Sequence, residues 1–108
     1  MKVIITITES ALPIARTIQR EWLDAEVVRM SDKTFLTEHW KELECVVFVG
    51  AMGICVRTIA PLLNDKYTDP AVICVDSTGK YVIPVVSGHI GGANDYSKRI
   101  AAILGGEA

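Results

Sequence analysis

Two short runs of apolar, mostly β-branched residues restrict this chain more than any other feature of its sequence. Val3–Ile7 and Cys45–Val49 contain no charged residue, and neither run is broken by glycine or proline. A strand with apolar residues at every position has to be covered on both faces, which is typical of central strands in a parallel sheet. The sequence therefore predicts an α/β fold with helices on both faces of the sheet.

Helical patterns follow the first run. Ser10 is a candidate N-cap for a helix that ends near Leu23. A short strand at Glu26–Met30 comes next, and Ser31 or Thr34 then opens a second helix. The apolar stripes of these two helices are Ile14, Ala15, Ile18 and Trp22 in the first, and Phe35, Leu36, Trp40 and Leu43 in the second.

A third helix is predicted after the second apolar run. Ile54, Ile59 and Leu63 indicate its apolar side, and Pro61 and Asn64 end it. Alternation of strands and helices in this order predicts a parallel sheet between two helical layers, with right-handed crossovers.

The last two strands form a hairpin. Val72–Val75 and Tyr81–Val86 are joined through the turn Asp76–Gly79, which is too short for a parallel crossover. Because Pro84 cannot donate to a ladder, the final strand is expected at a sheet edge.

These elements define one fold class for the whole chain. We predict a three-layer α/β/α domain over residues 1–108, with a five-stranded, mostly parallel sheet of flavodoxin-like order 2-1-3-4-5 and a C-terminal antiparallel edge hairpin. A last helix, Asp95–Leu104, is stopped by Gly105.

Charge and hydropathy exclude several functional classes. The 108 residues include 11 Lys and Arg against 13 Asp and Glu, and the basic residues are scattered, so no nucleic-acid partner is expected. The longest uncharged run, Cys45–Val56, is too short to span a bilayer, and the N-terminus has no signal-peptide pattern. We therefore expect a cytoplasmic protein with no membrane partner. Cys45, Cys55 and Cys74 match no disulfide or metal-binding spacing and are expected to be reduced core residues.

Two glycine-rich turns are the first candidate binding elements. Gly50–Gly53 follows a strand and Gly88–Gly92 precedes a helix, and both could present backbone N–H groups to an anion. Neither fits a Walker loop or a dinucleotide-binding fingerprint, which disfavours nucleotides. A flavodoxin-like binder of a phosphorylated ligand remains an alternative, and so do two purely structural turns.

Polar residues in and beside these turns are the candidate functional side chains. His89 lies between glycines and could take a proton from water or ligate a metal carried by a substrate. Arg57 could hold an anion near the start of the third helix. Ser87 lies two residues from His89, but the sequence gives little support to a serine-hydrolase triad. His39 is expected at the surface or the core edge.

Three segments together resemble a known family. Gly50–Pro61, Asp69–Val72 and Ser87–Asn94 are similar, in order and spacing, to the N-terminal domain of CbiG, the cobalt-precorrin-5A hydrolase of anaerobic cobalamin biosynthesis. The resemblance covers essentially the whole chain.

The resemblance implies a reaction and a site. The family's enzyme opens a δ-lactone on cobalt-precorrin-5A and releases acetaldehyde to give cobalt-precorrin-5B, with no cofactor of its own because cobalt is carried by the substrate. His89 is the candidate base, and Ser87 or Asn94 would orient water or stabilise the oxyanion. The candidate residues for binding the carboxylates of the macrocycle are Gly50, Gly53, Arg57, Lys66, Asp69, Gly88, Gly91 and Gly92.

Strand direction separates the two glycine turns. If the final strand is antiparallel, Gly50 and Gly88 lie at opposite edges of the sheet, and we favour the Gly88 turn with the loop 64–70 as the working site. Because family members carry further domains, we expect these domains or a complementary subunit to complete the site, and a homodimer is another way to do so. The competing interpretation is a recognition module that binds the corrinoid without performing catalysis.

Overall fold

A five-stranded sheet organises the computed structural model, which describes residues 1–31 and 34–108. The strands are β1 Lys2–Thr6, β2 Ala25–Arg29, β3 Cys45–Val49, β4 Ala71–Val75 and β5 Val82–Val86. The α-helices of the described residues are α1 Leu12–Glu21, α2 Phe35–His39, α3 Met52–Ile59 and α4 Ala93–Leu104.

The strand order is β2-β1-β3-β4-β5, as the sequence predicts. The first four strands are parallel, and β5 returns antiparallel to β4 at the edge. Pro84 lies in this edge strand, where its missing N–H does not interrupt the interior of the sheet.

Two apolar clusters cover the two faces of the sheet. One packs α1 and α4 against Ile4, Val47 and Ile73, and the other packs α2 and α3 against Phe48 and neighbours on the opposite face. All five residues of β3 and all five of β4 are buried, because both faces of these strands are covered. The predicted three-layer arrangement is confirmed.

Several local predictions differ from the structure. Ser10 does not cap α1, because it lies inside a 3-10 turn, Glu9–Ala11, that precedes the helix. The last helix begins at Ala93 instead of Asp95, directly after Gly92 in the left-handed region. The first two strands each begin and end one residue earlier than predicted.

The turn between β4 and β5 is built around one carboxylate. Asp76 Oδ1 accepts hydrogen bonds from the N–H groups of Lys80 (2.9 Å) and Tyr81 (2.7 Å), and Oδ2 accepts from Thr78. Gly79 has φ +73°, a conformation that favours glycine. This turn fixes the register of the hairpin.

The C-terminal tail extends the edge of the sheet. Glu107 donates its N–H to the carbonyl of Lys80 and accepts from the N–H of Val82, each at 2.7 Å. A Cβ on Gly106 would lie 2.4 Å from the Lys80 carbonyl oxygen, so this close approach requires glycine. The tail therefore covers the first part of β5.

Candidate functional site

The polarity of the sheet places the two glycine-rich turns at opposite edges. Gly50 follows β3 at the carboxyl edge, where its N–H donates to the carbonyl of Val75 (2.9 Å). Val86 pairs with Val72, near the amino-terminal end of β4, so Ser87 emerges at the other edge. Parallel strands of five residues separate the edges by about 17 Å. The two turns therefore do not share a small ligand within one copy of the chain.

The turn at the carboxyl edge is largely structural. Gly50 is buried with φ +147°, and a Cβ there would lie 2.7 Å from Cδ1 of Ile7. Its N–H is already bonded to Val75, so the predicted donor at this position is engaged within the sheet. Gly53 lies in the first turn of α3 with open space beside it, and Arg57 is exposed one turn further along.

The turn at the amino-terminal edge is a compact loop, Ser87–Gly92. The Ser87 carbonyl accepts hydrogen bonds from the N–H groups of Gly91 and Ala93, both at 3.1 Å, and the Gly88 carbonyl accepts from Asn94 (3.1 Å). A Cβ on Gly91 would lie 2.6 Å from the Ser87 Cβ. In the described part of the chain, the N–H groups of Gly88, His89 and Ile90 make no hydrogen bond.

Ser87 adopts an unusual backbone conformation. Its φ of +58° is the sole positive value at a non-glycine residue in the described chain. A serine in the left-handed region costs free energy, and such residues concentrate at functional sites. The Ser87 Oγ donates to the carbonyl of Asp69 at 3.4 Å, which ties the loop to the preceding segment.

His89 lies within this loop, and Asn94 follows it in the first turn of α4. His89 is exposed and has no hydrogen-bond partner among the described residues, so its imidazole is accessible from solvent. The carboxamide of Asn94 lies against Gly88, where a Cβ would approach Oδ1 to 2.9 Å. Asn94 is therefore within the same small region as His89 and Ser87.

The loop 64–70 lies beside Ser87, as expected, but Asp69 is not free to bind a ligand. Its carboxylate accepts hydrogen bonds from Trp40 Nε1 (3.1 Å), from the Asn64 N–H (2.9 Å) and from the Asp65 N–H (3.1 Å). These bonds shape the loop. Lys66 is exposed, with its Nζ 5.3 Å from the ring centroid of Tyr67.

A cavity of about 320 Å³ opens between the loop and α4. It is lined by Ile90, Gly91, Gly92, Asp95, Tyr96 and Arg99. Burial raises the pKa of the Tyr96 phenol above its ordinary value of 10.0, so this group is a protonated hydrogen-bond donor at neutral pH. Tyr96 and Arg99 were not predicted as site residues, although their spacing from Gly92 places all three residues on one helical face.

The three cysteines are free and buried, as predicted. Burial raises the pKa of the Cys45 thiol to about 12, which keeps it protonated. A hydrogen bond with Cys74, together with burial, raises the pKa of Cys55. Residues 1–31 and 34–108 contain no cluster of three or more His, Cys, Asp or Glu placed to hold a metal ion, nor a helix long and apolar enough to cross a membrane.

Known proteins with similar sequences share one name. A cobalt-precorrin-5A hydrolase from Salmonella typhimurium is 50% identical over 62 residues, which cover 57% of this chain and 18% of that protein. The cobalt-precorrin-5A hydrolase of Priestia megaterium is 34% identical over 119 aligned positions, covering 94% of this chain and 32% of that protein. The chain thus spans about a third of the length of this relative.

The fold has a counterpart among solved structures. The crystal structure of a cobalamin biosynthesis protein G homologue from Sulfolobus solfataricus matches with a TM-score of 0.88 and 30% sequence identity, over 97% of this chain and 34% of that one. Residues 34–108, well over half of the chain, match the family described as Cobalamin synthesis G N-terminal. The chain therefore belongs to the cobalamin synthesis G N-terminal family.

Proposed function

We propose that this chain is the N-terminal domain of a cobalt-precorrin-5A hydrolase and binds its substrate at the loop Ser87–Gly92. The names of the similar proteins support the reaction class. The observation that carries the location is the loop itself, in which the N–H groups of Gly88, His89 and Ile90 make no hydrogen bond among the described residues and the His89 imidazole is exposed. A macrocycle fringed with carboxylates suits such donors, and its cobalt belongs to the substrate.

The reaction requires two proton transfers that an imidazole can perform. Water attacks the lactone carbonyl, which leaves a carboxylate on the macrocycle and a hydroxyl on the two-carbon bridge. Removal of the hydroxyl proton then allows the carbon–carbon bond to break, acetaldehyde leaves, and the ring carbon takes up a proton. In this proposal His89 is the base, and Ser87 or Asn94 orients water or stabilises the oxyanion.

The remaining candidate residues divide between the two edges. Gly88, Gly91 and Gly92 shape or line the loop, and Lys66 supplies a positive charge on the same edge. Gly53 and Arg57 belong to α3, which begins at the opposite edge, so in this proposal they are not part of the site around His89. Asp69 acts through the conformation of its loop.

The open character of the site suggests that another polypeptide completes it. The loop and its cavity are at the surface, whereas a catalytic site for a large macrocycle has to exclude water from most of the ligand. We propose that the part corresponding to the other two-thirds of the Priestia megaterium relative covers the macrocycle from the opposite side.

The test of this proposal is acetaldehyde release. The chain is combined with the C-terminal two-thirds of the Priestia megaterium relative, cobalt-precorrin-5A is supplied, and acetaldehyde is followed by reduction with alcohol dehydrogenase. We expect His89→Ala to lower the rate by about a hundredfold or more, as for removal of a general base.

The matched control is His39→Ala. His39 lies on α2, contacts Glu42 (3.1 Å) and Phe35, and is outside the loop. An unchanged rate in the His89 variant would remove His89 from the mechanism.

A second candidate function is corrinoid recognition without catalysis. The observation that favours it is that no described side chain fixes the orientation of the His89 imidazole, as a catalytic base normally requires. If His89→Ala binds the macrocycle weakly but turns over at the normal rate when saturated, the loop is a binding element and the base lies elsewhere.

A further inference from the structure

Arg99 is held in position by aromatic stacking. Its guanidinium carbon lies 5.5 Å from the ring centroid of Trp22, and the rings of Trp22 and Tyr96 pack nearly perpendicular to each other with their centroids 5.3 Å apart. Trp22 is 2% exposed, so the ring that supports Arg99 is fixed by the core. A stacked guanidinium keeps its donors at its edge and loses less entropy when it binds a carboxylate.

The donors of Arg99 are available to a ligand. Within residues 1–31 and 34–108, Arg99 makes no ion pair or hydrogen bond, although it is exposed. It lines both the 320 Å³ cavity beside the loop and a second cavity of about 480 Å³ between α1 and α4. Among the described residues, Asp24 is near enough to interact electrostatically with Arg99, but its carboxylate pairs with Lys2 at 2.7 Å. The guanidinium can therefore bind an anion that enters from either cavity.

The charges around Arg99 make the site selective. Asp95 lines the first cavity, and Arg20 and Glu21 line the second. The carboxylate of Asp95 repels an anion that lies beside it. A carboxylate of the ligand is therefore attracted only where it lies closer to the Arg99 guanidinium than to Asp95. The protonated Tyr96 phenol is on the same helical face and can donate one further hydrogen bond.

The distance along α4 matches a ligand with several carboxylates. Gly92 and Arg99 are seven residues apart, which is about 10 Å along the helix axis. A ligand that meets the loop with one part can therefore reach Arg99 only with a second anionic group about 10 Å away.

We propose that Arg99, stacked on Trp22, binds a peripheral carboxylate of the corrin-type macrocycle and so selects for the polycarboxylate form of the ring. This inference rests on the proposed function, since it extends the ligand of the Ser87–Gly92 loop to a second contact. Arg99 is a binding and specificity residue and takes no part in bond cleavage.

The experiment compares two forms of one probe. Dicyanocobyrinic acid, which carries free carboxylates, and its fully methylated ester are titrated into the 108-residue chain, and binding is measured from the absorbance of the corrin. We expect Arg99→Gln to weaken binding of the acid by about tenfold, the usual effect of one charge-assisted hydrogen bond, and to leave binding of the ester unchanged. Arg99→Lys should fall between Arg99→Gln and the wild type.

The matched control is Lys98→Gln, which removes the same charge from the neighbouring exposed position outside both cavities. It should change binding by less than about twofold. Asp95→Asn should strengthen binding of the acid. Thermal unfolding of each variant verifies that the chain is folded.

The other outcomes are distinct. Equal binding of the acid by the wild type and by Arg99→Gln overturns the Arg99 site and leaves the proposed function standing. Equal losses in the Arg99 and Lys98 variants show a general charge effect and also overturn the site, as does equal binding of acid and ester by the wild type. If the wild-type chain binds neither probe, the Arg99 site is overturned, and the proposed function is decided separately by acetaldehyde release.

Discussion

At the scale of single residues, the contact between Ser87 and Gly91 decides whether the candidate site can form. Ser87 is held in the left-handed region while its carbonyl accepts hydrogen bonds from the N–H groups of Gly91 in the loop and Ala93 at the start of α4. The space for this arrangement exists because Gly91 has no side chain. The loop that carries His89 therefore adopts this conformation only with glycine at position 91.

Gly91→Ala should disrupt this loop and destabilise the chain. The added methyl group would lie 2.6 Å from the Ser87 Cβ and 3.0 Å from the Ser87 carbonyl oxygen, and neither atom can move without breaking the turn. We expect a loss of about 1 to 3 kcal/mol in the free energy of unfolding, measured with guanidinium chloride.

The control for this prediction is Gly53→Ala. A methyl group there meets nothing within 4 Å and lies in a helix, where alanine is favoured by up to about 1 kcal/mol. This variant should be as stable as the wild type or slightly more stable. A stable Gly91→Ala protein with the same loop chemical shifts as the wild type would contradict the prediction.

At the scale of elements, the β4–β5 hairpin depends on the ionised carboxylate of Asp76. Partial burial acts to raise the pKa of Asp76, but hydrogen bonds from Thr78, Tyr81 and Lys80 outweigh it and hold the pKa below its ordinary value of 3.8. A carboxylate with a lowered pKa in the folded state stabilises the fold above its unfolded pKa and loses this contribution as the pH falls through the folded value.

Asp76→Asn should therefore reduce stability in a pH-dependent way. We expect the variant to be less stable by about 1 kcal/mol at pH 7. The reason is that the amide NH₂ of asparagine replaces one carboxylate oxygen and then faces N–H groups of the turn, which are also donors. The difference from the wild type should shrink as the pH is lowered below 3.8.

Thermal unfolding between about pH 2 and about pH 7, a range that includes the ordinary pKa of a carboxyl group, measures this effect. Glu26→Gln, at an exposed position of β2, serves as the control and should follow the wild type. A stability difference for Asp76→Asn that is constant with pH would show that the charge of Asp76 does not act through the turn.

The helices show where sequence patterns indicate a buried face and where they do not. The stripe of α1 was predicted correctly, since Ala15, Ile18 and Trp22 are buried. The predicted third helix is present as α3, but of the three residues that indicated it only Ile59 is buried, whereas Ile54 is 42% and Leu63 is 41% exposed. A helix of only two turns has too few apolar positions to define one face when apolar residues occur on several sides.

At the scale of the whole molecule, the predicted strand order and polarity were confirmed because they follow from uninterrupted apolar runs and one short turn. The site was only partly predictable. Glycine spacing identified the loop. The hydrogen bond from the Gly50 N–H to β4 could not be predicted, because no local sequence pattern shows which strand lies beside Gly50. Likewise, Arg99 in α4 contacts Trp22 at the end of α1, and these two residues are 77 positions apart in the sequence.

The tail that pairs with β5 should contribute to global stability. Deletion of residues 106–108 removes two short backbone hydrogen bonds made by Glu107, and we expect a loss of about 1 to 3 kcal/mol in the free energy of unfolding. Deletion of Ala108 alone retains both bonds and should have little effect. Equal stability of the two truncated proteins in guanidinium chloride would show that the tail does not hold the edge strand.

The antiparallel return of β5 also separates the two chain termini. Met1 lies at the edge that carries His89, where its ammonium group pairs with Glu44, whereas Glu107 lies beside Tyr81 at the far edge. A fluorophore or an immobilisation tag attached after Ala108 is therefore held at the edge opposite the loop, whereas an affinity tag on Met1 is held at the same edge as the loop.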